Sequence, residues 1–420
     1  MDAYNKITYK NILYHLKNLR LIIFEVTDRC NLNCKYCGCS SLYRGNDIRE
    51  DKDISFTKAK LIIDYLCDLW KDYYYSNENN HELNIGFYGG EPLLNVPFIK
   101  KTIDYLDSLE LEKYGKICSY SMTTNAMLLD QYMDYLEKKE FRLLVSLDGD
   151  EFAQSYRIDR SGRNSYDRVF RNIKLLQEKH PIYFKSNVNF ISVLHNRNSF
   201  ESIFKFIHTQ FDKIPIIAPL NDVDISEEKK NDFLEMYRNP VESFYNSNNC
   251  TSIESEMFMR TPRVGELADY IKYQSGNNFN TYNDLYTNKY DIQRTTGTCV
   301  PFANRMFISV NGKILPCERI RQQFSLGQVH EDSVELNYEY VANKYNYYVS
   351  KFEEQCVNCA TYKFCMQCVY QVDDLPKEKP CCPIFITKKE MDVRIDDIFK
   401  FLEKRPFYYR RILDEVKITV

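Results

Sequence analysis

Thr27-Asp28-Arg29-Cys30-Asn31-Leu32-Asn33-Cys34-Lys35-Tyr36-Cys37 follows directly on an apolar run, Leu21-Ile22-Ile23-Phe24-Glu25-Val26. The run reads as a buried strand, and the cysteines fall in the loop that leaves it. They are separated by three residues and then by two. Three thiolates held this close suit three corners of a cubane iron–sulfur cluster. The fourth iron is left without a protein ligand and can bind a small molecule directly. A zinc site is the alternative that cysteine spacing alone allows.

Outward from this loop, strand-like runs at 21–26, 83–88, 117–123, 142–147, 186–192 and 214–218 alternate with helical patterns. Residues 57–74 place apolar side chains at 61, 62, 65, 66 and 69, and 130–139 behaves alike. Six strands alternating with helices predict an α/β fold with a parallel sheet and right-handed crossovers. The cysteine loop then lies at the carboxyl end of the first strand, where barrel-type sheets carry their sites. Tyr88-Gly89-Gly90-Glu91-Pro92 closes the second strand. Its glycines allow close backbone approach, and its carbonyls and Glu91 can accept from an ammonium group. Met122-Thr123-Thr124-Asn125 and Ser146-Leu147-Asp148-Gly149 close the third and fourth. Asn187 and Asn189 are candidates to line the cavity from the fifth.

The cysteine triad, the aromatic Tyr36 before its last member and the Gly-Gly-Glu-Pro turn together resemble the signature of radical S-adenosylmethionine (SAM) enzymes. The resemblance implies a partial (β/α)6 barrel in which Cys30, Cys34 and Cys37 hold a [4Fe-4S] cluster. The open iron would chelate the methionine end of SAM. It assigns Tyr36, Gly89, Gly90, Glu91, Asn125 and Ser146 to the SAM site. It also assigns Arg157, whose planar fork matches a carboxylate. Arg157 stands in the frame Arg157-Ile158-Asp159-Arg160-Ser161-Gly162-Arg163-Asn164-Ser165, where Asn164 replaces a frequent glycine and Arg160 and Arg163 lie close by.

A second cysteine-rich region runs from 296 to 385. Val310-Asn311-Gly312-Lys313 reads as a hairpin turn between strands at 304–310 and 313–316. Cys299, Cys317, the Cys356-Val357-Asn358-Cys359 pair, Cys365, Cys368, Cys381 and Cys382 surround it. A zinc ribbon would use such pairs equally well. The pattern resembles the SPASM module, a C-terminal domain, and that resemblance implies two auxiliary iron–sulfur clusters of the [4Fe-4S] type. That resemblance assigns Cys299, Cys317 and Cys368 to the first cluster. Cys356, Cys359, Cys365 and one of Cys381 or Cys382 would hold the second. Two residues rather than three separate Cys365 from Cys368, and no extra cysteine lies between Cys299 and Cys317. Cys39 and Cys250 receive no role, and Cys67 and Cys118 read as small core residues.

The chain has 420 residues, 44% of them apolar and 27% charged, which predicts a soluble protein of two or three domains. The expected division is a lead-in at 1–19, the core at 20–215, a polar bridge at 216–295, the SPASM region at 296–385, and a helix with an irregular basic tail at 386–420. A net charge of -3 argues against nucleic acid as a partner. No apolar run spans a membrane or drives secretion. Fifteen cysteines without a secretion signal suggest a reducing cytoplasm. The resemblance to bacterial peptide maturases implies an enzyme that modifies a ribosomally made precursor peptide through a 5′-deoxyadenosyl radical, installing a side-chain cross-link or related oxidation. An anaerobic sulfatase-maturing enzyme is the alternative, and a non-catalytic iron–sulfur carrier or peptide-binding scaffold is the alternative of another class. A reductant such as flavodoxin or ferredoxin is the implied partner. Residues 1–19 are too few for a fused leader-binding domain, so a leader would use the bridge, a sheet edge or a separate protein. Asp148 and Glu318 are the acidic residues to examine as a base, and neither is assigned.

Overall fold

The computed structural model describes residues 6–44, 49–74, 81–271, 300–362, 365 and 367–415. Its centre is a ten-stranded sheet. β1 (Leu21–Thr27), β2 (His81–Gly89), β3 (Lys116–Thr124), β4 (Arg142–Ser146), β5 (Val188–Leu194) and β6 (Ile216–Pro219) pair in sequence order, all parallel. Ile22, Ile23, Phe24 and Val26 are all buried, so β1 is covered on both faces, as an unbroken apolar run in a parallel sheet requires. Helix α1 (Tyr9–Lys17) precedes β1, and α2 (Phe56–Tyr74) crosses from β1 to β2. Ala59, Ile62, Ile63, Leu66 and Trp70 form the buried stripe of α2 at helical spacing. Cys67 packs with them, whereas Cys118 on β3 is only half-buried.

The sheet does not stop at β1. β7 (Met306–Ile308) adds to it in parallel, matching Ile22 with Met306 and Phe24 with Ile308. β8 (Lys313–Leu315), β9 (Gly327–Val329) and β10 (Val334–Glu335) follow antiparallel. The Asn311-Gly312 turn joins β7 to β8. Gly312 has φ of 80°, and a Cβ there would meet the Val329 carbonyl at 2.3 Å.

Two compact units result. One comprises Thr8–Asn239 and Cys299–Asn343; the other comprises Met1–Ile7, Pro240–Thr298 and Lys344–Val420. The second unit has its own core of Phe258, Val264, Leu267, Ala268, Ile271, Ile398, Phe401, Tyr408 and Ile412. Its helix Lys388–Lys404 starts on a Thr387/Glu390 capping box. The basic, aromatic tail read as irregular is instead a helix, Phe407–Glu415, because Tyr408 and Ile412 lie one turn apart and both are buried. Two cations of this segment lie over aromatic rings. Arg405 lies 4.9 Å from the Phe401 ring and Arg411 lies 4.0 Å from that of Phe258. Among the described residues no helix is long and apolar enough to cross a membrane.

Candidate functional site

The triad loop leaves the carboxyl end of β1 and is held from three sides. Asp28, buried, accepts from the backbone N–H groups of Glu50 (2.8 Å) and Lys52 (2.7 Å), fixing the returning chain. Segment 156–160 grips the other side. Asn33 N–H donates to the Ile158 carbonyl (2.7 Å), Lys35 N–H to the Tyr156 carbonyl (3.0 Å), and Arg160 Nε to the Cys30 carbonyl (2.9 Å). From the end of β3, Asn125 Nδ2 donates to Asn31 Oδ1 at 2.7 Å and lies 3.7 Å from Cys30 Sγ.

The Gly-Gly-Glu-Pro turn closes the third side, and here the glycines have a specific task. Gly90 N–H donates to the Thr27 carbonyl and Glu91 N–H to the Arg29 carbonyl, each at 2.9 Å. A Cβ on Gly89 would stand 2.2 Å from the Thr27 carbonyl oxygen, and one on Gly90 would stand 1.9 Å from that of Arg29. The close backbone neighbour that demands glycine is the triad loop itself. Glu91, fully buried, accepts from Leu93 N–H (3.1 Å), Thr124 Oγ1 (2.7 Å) and Asn125 N–H (2.7 Å), which ties the turn to β3. Burial pushes its carboxyl up to about 7.

Behind the loop lies a buried polar cluster. Asp148 would be raised by burial, but the Arg157 guanidinium and neighbouring donors bring it down to about 2. Arg157 donates to both carboxylate oxygens, Nε at 3.0 Å and Nη2 at 3.1 Å. Tyr36 Oη also donates to Asp148, and the Tyr36 ring lies 5.4 Å beneath the guanidinium. His195, fully buried, stacks on Tyr36 with ring centroids 5.7 Å apart. Its Nδ1 accepts from Arg197 N–H at 3.2 Å, so Nε2 carries the proton and faces Asp148 at 3.6 Å. Asn198 Nδ2 donates to the Asp148 and Val193 carbonyls. Sequence reasoning had no signal for His195 or Asn198, since neither sits in a motif. Ser146 ends β4 half-buried. Asn187 and Asn189 lie elsewhere: Asn187 ends the helix Pro181–Asn187 and donates to the Glu140 carbonyl, and Asn189 is exposed at the amino end of β5. That end of the sheet is opposite the triad.

The triad fits a cluster by its donor chemistry. The thiols of Cys30 and Cys34 rise with burial, Cys34 to about 12; Cys37 adds to both, and Cys30 to Cys34. Cys37 is lowered to about 5, first by a hydrogen bond from Cys39 and, against burial, by the Arg49 guanidinium. Iron binding would therefore release protons from the other two. Among the described residues no three His, Cys, Asp or Glu side chains are drawn closely enough for a single metal ion. Beside the triad, Tyr43 is buried in an apolar cluster with Tyr36, Leu220, Phe233 and Met236, and its hydroxyl has no partner. It is an orphan donor in a cluster that also packs against Cys34.

Of the C-terminal cysteines, Cys299 lies outside the described residues. Cys317 follows β8, and burial pushes its thiol up to about 12; Glu318 beside it is paired with Arg305. In the second unit, Cys359 N–H donates to the Cys356 carbonyl at 3.1 Å. The Cys382 thiol is raised by burial and, less strongly, by Cys365 and Cys359. Cys381 is exposed, with its N–H on Asp374. Cys365 and Cys368 are half-buried.

Residues 24–207 match the Radical SAM superfamily. An uncharacterized protein of Methanocaldococcus jannaschii is 33% identical over 161 residues, 38% of this chain and 49% of that protein. A cysteine-type anaerobic sulfatase-maturating enzyme of Clostridium novyi is 26% identical over 216 residues, 49% of this chain and 54% of that enzyme. The chain thus spans about half the length of these two relatives. The radical SAM cyclopropyl synthase TigE of Paramaledivibacter caminithermalis is 25% identical over 363 residues, 83% of this chain and 67% of that enzyme. The solved structure "Native anSMEcpe with bound AdoMet and Kp18Cys peptide" has the same fold. Its TM-score is 0.61 at 17% identity, over 95% of this chain and 99% of that one. Residues 24–207, which hold the triad and the Gly-Gly-Glu-Pro turn, therefore carry a radical SAM domain.

Proposed function

We propose that this enzyme modifies a ribosomally made peptide, installing a side-chain cross-link or related oxidation. The observation that carries it is the triad loop clamped between the Gly-Gly-Glu-Pro turn and segment 156–160, in a chain whose similarity to the cyclopropyl synthase extends over 83% of its length. When bound, SAM and a reduced [4Fe-4S] cluster would supply the radical chemistry that removes a hydrogen atom from an unactivated carbon. Cys30, Cys34 and Cys37 would hold that cluster. The Gly89–Glu91 turn, Asn125 and Ser146 would line the SAM pocket, with Tyr36 as one wall. Two guanidinium nitrogens of Arg157 are committed to Asp148, leaving Nη1 for the SAM carboxylate. Leu220, Phe233 and Met236 exclude water behind Tyr36.

Auxiliary clusters belong to the same reading. Cys299, Cys317 and Cys368 would serve one. Cys356, Cys359, Cys365 and Cys382 would serve the other, with Cys382 preferred to Cys381 because its thiol is near Cys359 and Cys365. They would take up the electron released when a substrate radical is oxidised.

Formylglycine formation on a sulfatase is the second reading, favoured by the relatives and solved structures that bear that name. Tandem mass spectrometry separates the two. A short peptide encoded beside the gene is co-expressed anaerobically with the enzyme, and with a Cys30→Ala/Cys34→Ala/Cys37→Ala control. Loss of two hydrogens with fragmentation blocked between two residues, absent in the control, is the expected result. The same loss with normal fragmentation and reaction with a carbonyl reagent would move the assignment to formylglycine. An unmodified peptide, with 5′-deoxyadenosine still formed, would remove that peptide as the substrate.

A further inference from the structure

Beside the triad a cleft of about 530 Å³ opens to solvent, and Cys30 is part of its wall. Arg29, Arg160, Arg163 and Arg168 line it, against a single carboxylate, Asp159. That carboxylate is turned into its own loop, where Ser161 N–H and Oγ and Arg163 N–H and Nε all donate to it. Arg29 is paired with Asp53 and Arg160 with Asp51, both outside the cleft lining, while Arg168 has no acidic partner among the described residues. The Arg160 and Arg163 side chains remain 63% and 83% exposed. Four guanidinium groups around one opening are conspicuous in a chain whose net charge is -3. Their location matters more than their number. A radical SAM triad must receive an electron from outside, and this opening brings solvent to the residue carrying one of its sulfurs.

We propose that the arginine-lined cleft is the docking surface for an acidic one-electron carrier protein. The positive rim steers the carrier's acidic face onto the opening. Planar guanidinium groups pair with its carboxylates, and the carrier's redox group is brought over Cys30. The carrier is oxidised by one electron and the triad's cluster is reduced by one, with no bond formed between the proteins. This rests on the reading that Cys30, Cys34 and Cys37 hold the reducible cluster.

The test uses flavodoxin as the carrier and leaves Arg29 and Arg160 intact, because they brace the triad loop. Arg163→Glu/Arg168→Glu and the milder Arg163→Gln/Arg168→Gln are compared with the parent holoenzyme. Binding of oxidised flavodoxin is measured by calorimetry at low and high salt. Binding is expected to weaken about tenfold in the reversed variant and less in the neutral one, with both differences shrinking as salt screens the charges. Flavodoxin-driven SAM cleavage should fall in parallel, while dithionite-driven cleavage, which needs no docking, stays at the parent level. Unchanged flavodoxin affinity would overturn the proposal. So would an equal loss with both reductants, which would make these arginines part of the SAM machinery. Binding is read without turnover, so an enzyme inactive with either reductant would count against the triad reading while the calorimetry still decides the docking.

Discussion

Asp148 holds Arg157 through both carboxylate oxygens in a fully buried pair, and Tyr36, one residue before the last triad cysteine, hangs its hydroxyl on the same carboxylate. The pair thus fixes the back wall of the site. Removing one member strands a buried charge, which typically costs about 3–5 kcal/mol. Asp148→Asn should lower stability by that order in chemical denaturation. Adding Arg157→Met should recover part of the loss, since the stranded cation is then gone. A double variant no more stable than the single one would mean that Arg157 is satisfied by other groups.

Gly90→Ala tests the clamp between the second strand and the triad loop. The added methyl would stand 1.9 Å from a backbone carbonyl, so backbone rather than a side chain must move. Iron content after anaerobic purification is expected to fall severalfold, with SAM cleavage falling at least as far. Gly162→Ala serves as a control for loop composition, because a Cβ there has nothing within 4 Å, although its φ of 85° carries a modest strain of its own.

Two tyrosines of the site should respond in opposite directions to the same change. Tyr36→Phe deletes a donor that Asp148 uses and should cost about 1–3 kcal/mol. Tyr43→Phe deletes a buried hydroxyl without a partner and should be neutral or stabilising by about 1 kcal/mol in the SAM-free protein. Thermal melts of the two variants without SAM check the sign of each.

Lys116 predicts a pH dependence. Its ammonium donates to the Lys17 carbonyl and lies 5.2 Å from the Trp70 ring, and burial lowers it from 10.5 to about 8. Below about pH 8 the group is charged in folded and unfolded chains alike, so its burial weighs fully against folding. Between about 8 and 10.5 the folded chain sheds the proton first, and stability recovers. Lys116→Met should therefore gain about 1–3 kcal/mol on the parent at pH 7, and the gain should shrink as pH rises through that window. A pH-independent difference between the two proteins would show that the ammonium is not the cause.

Much of this was legible along the chain. β1 announced itself as an unbroken apolar run because it is buried on both faces, and the triad and Gly-Gly-Glu-Pro turn are short, local patterns. What the sequence concealed was distant pairing. Nothing in Met306–Ile308 says that it will lie beside Leu21–Thr27, and nothing in Tyr156–Arg160 says that its carbonyls will hold the triad loop. His195 was invisible for the same reason: a lone histidine acquires meaning only from the tyrosine and carboxylate it meets. Asn187 was misjudged by one element, because a helix ends there before β5 begins.

The parallel pairing of β7 with β1 also has a consequence for how the chain is made. β1 is translated well before one of its two neighbours, Met306–Ile308, which emerges from the ribosome some 280 residues later. Until then the strand that launches the triad is an apolar edge with unpaired backbone groups, the kind of surface that invites association with other chains. Closure of the sheet is a late, high-contact-order event. Synthesis that stalls before β7 leaves the triad loop attached to an unpaired apolar strand.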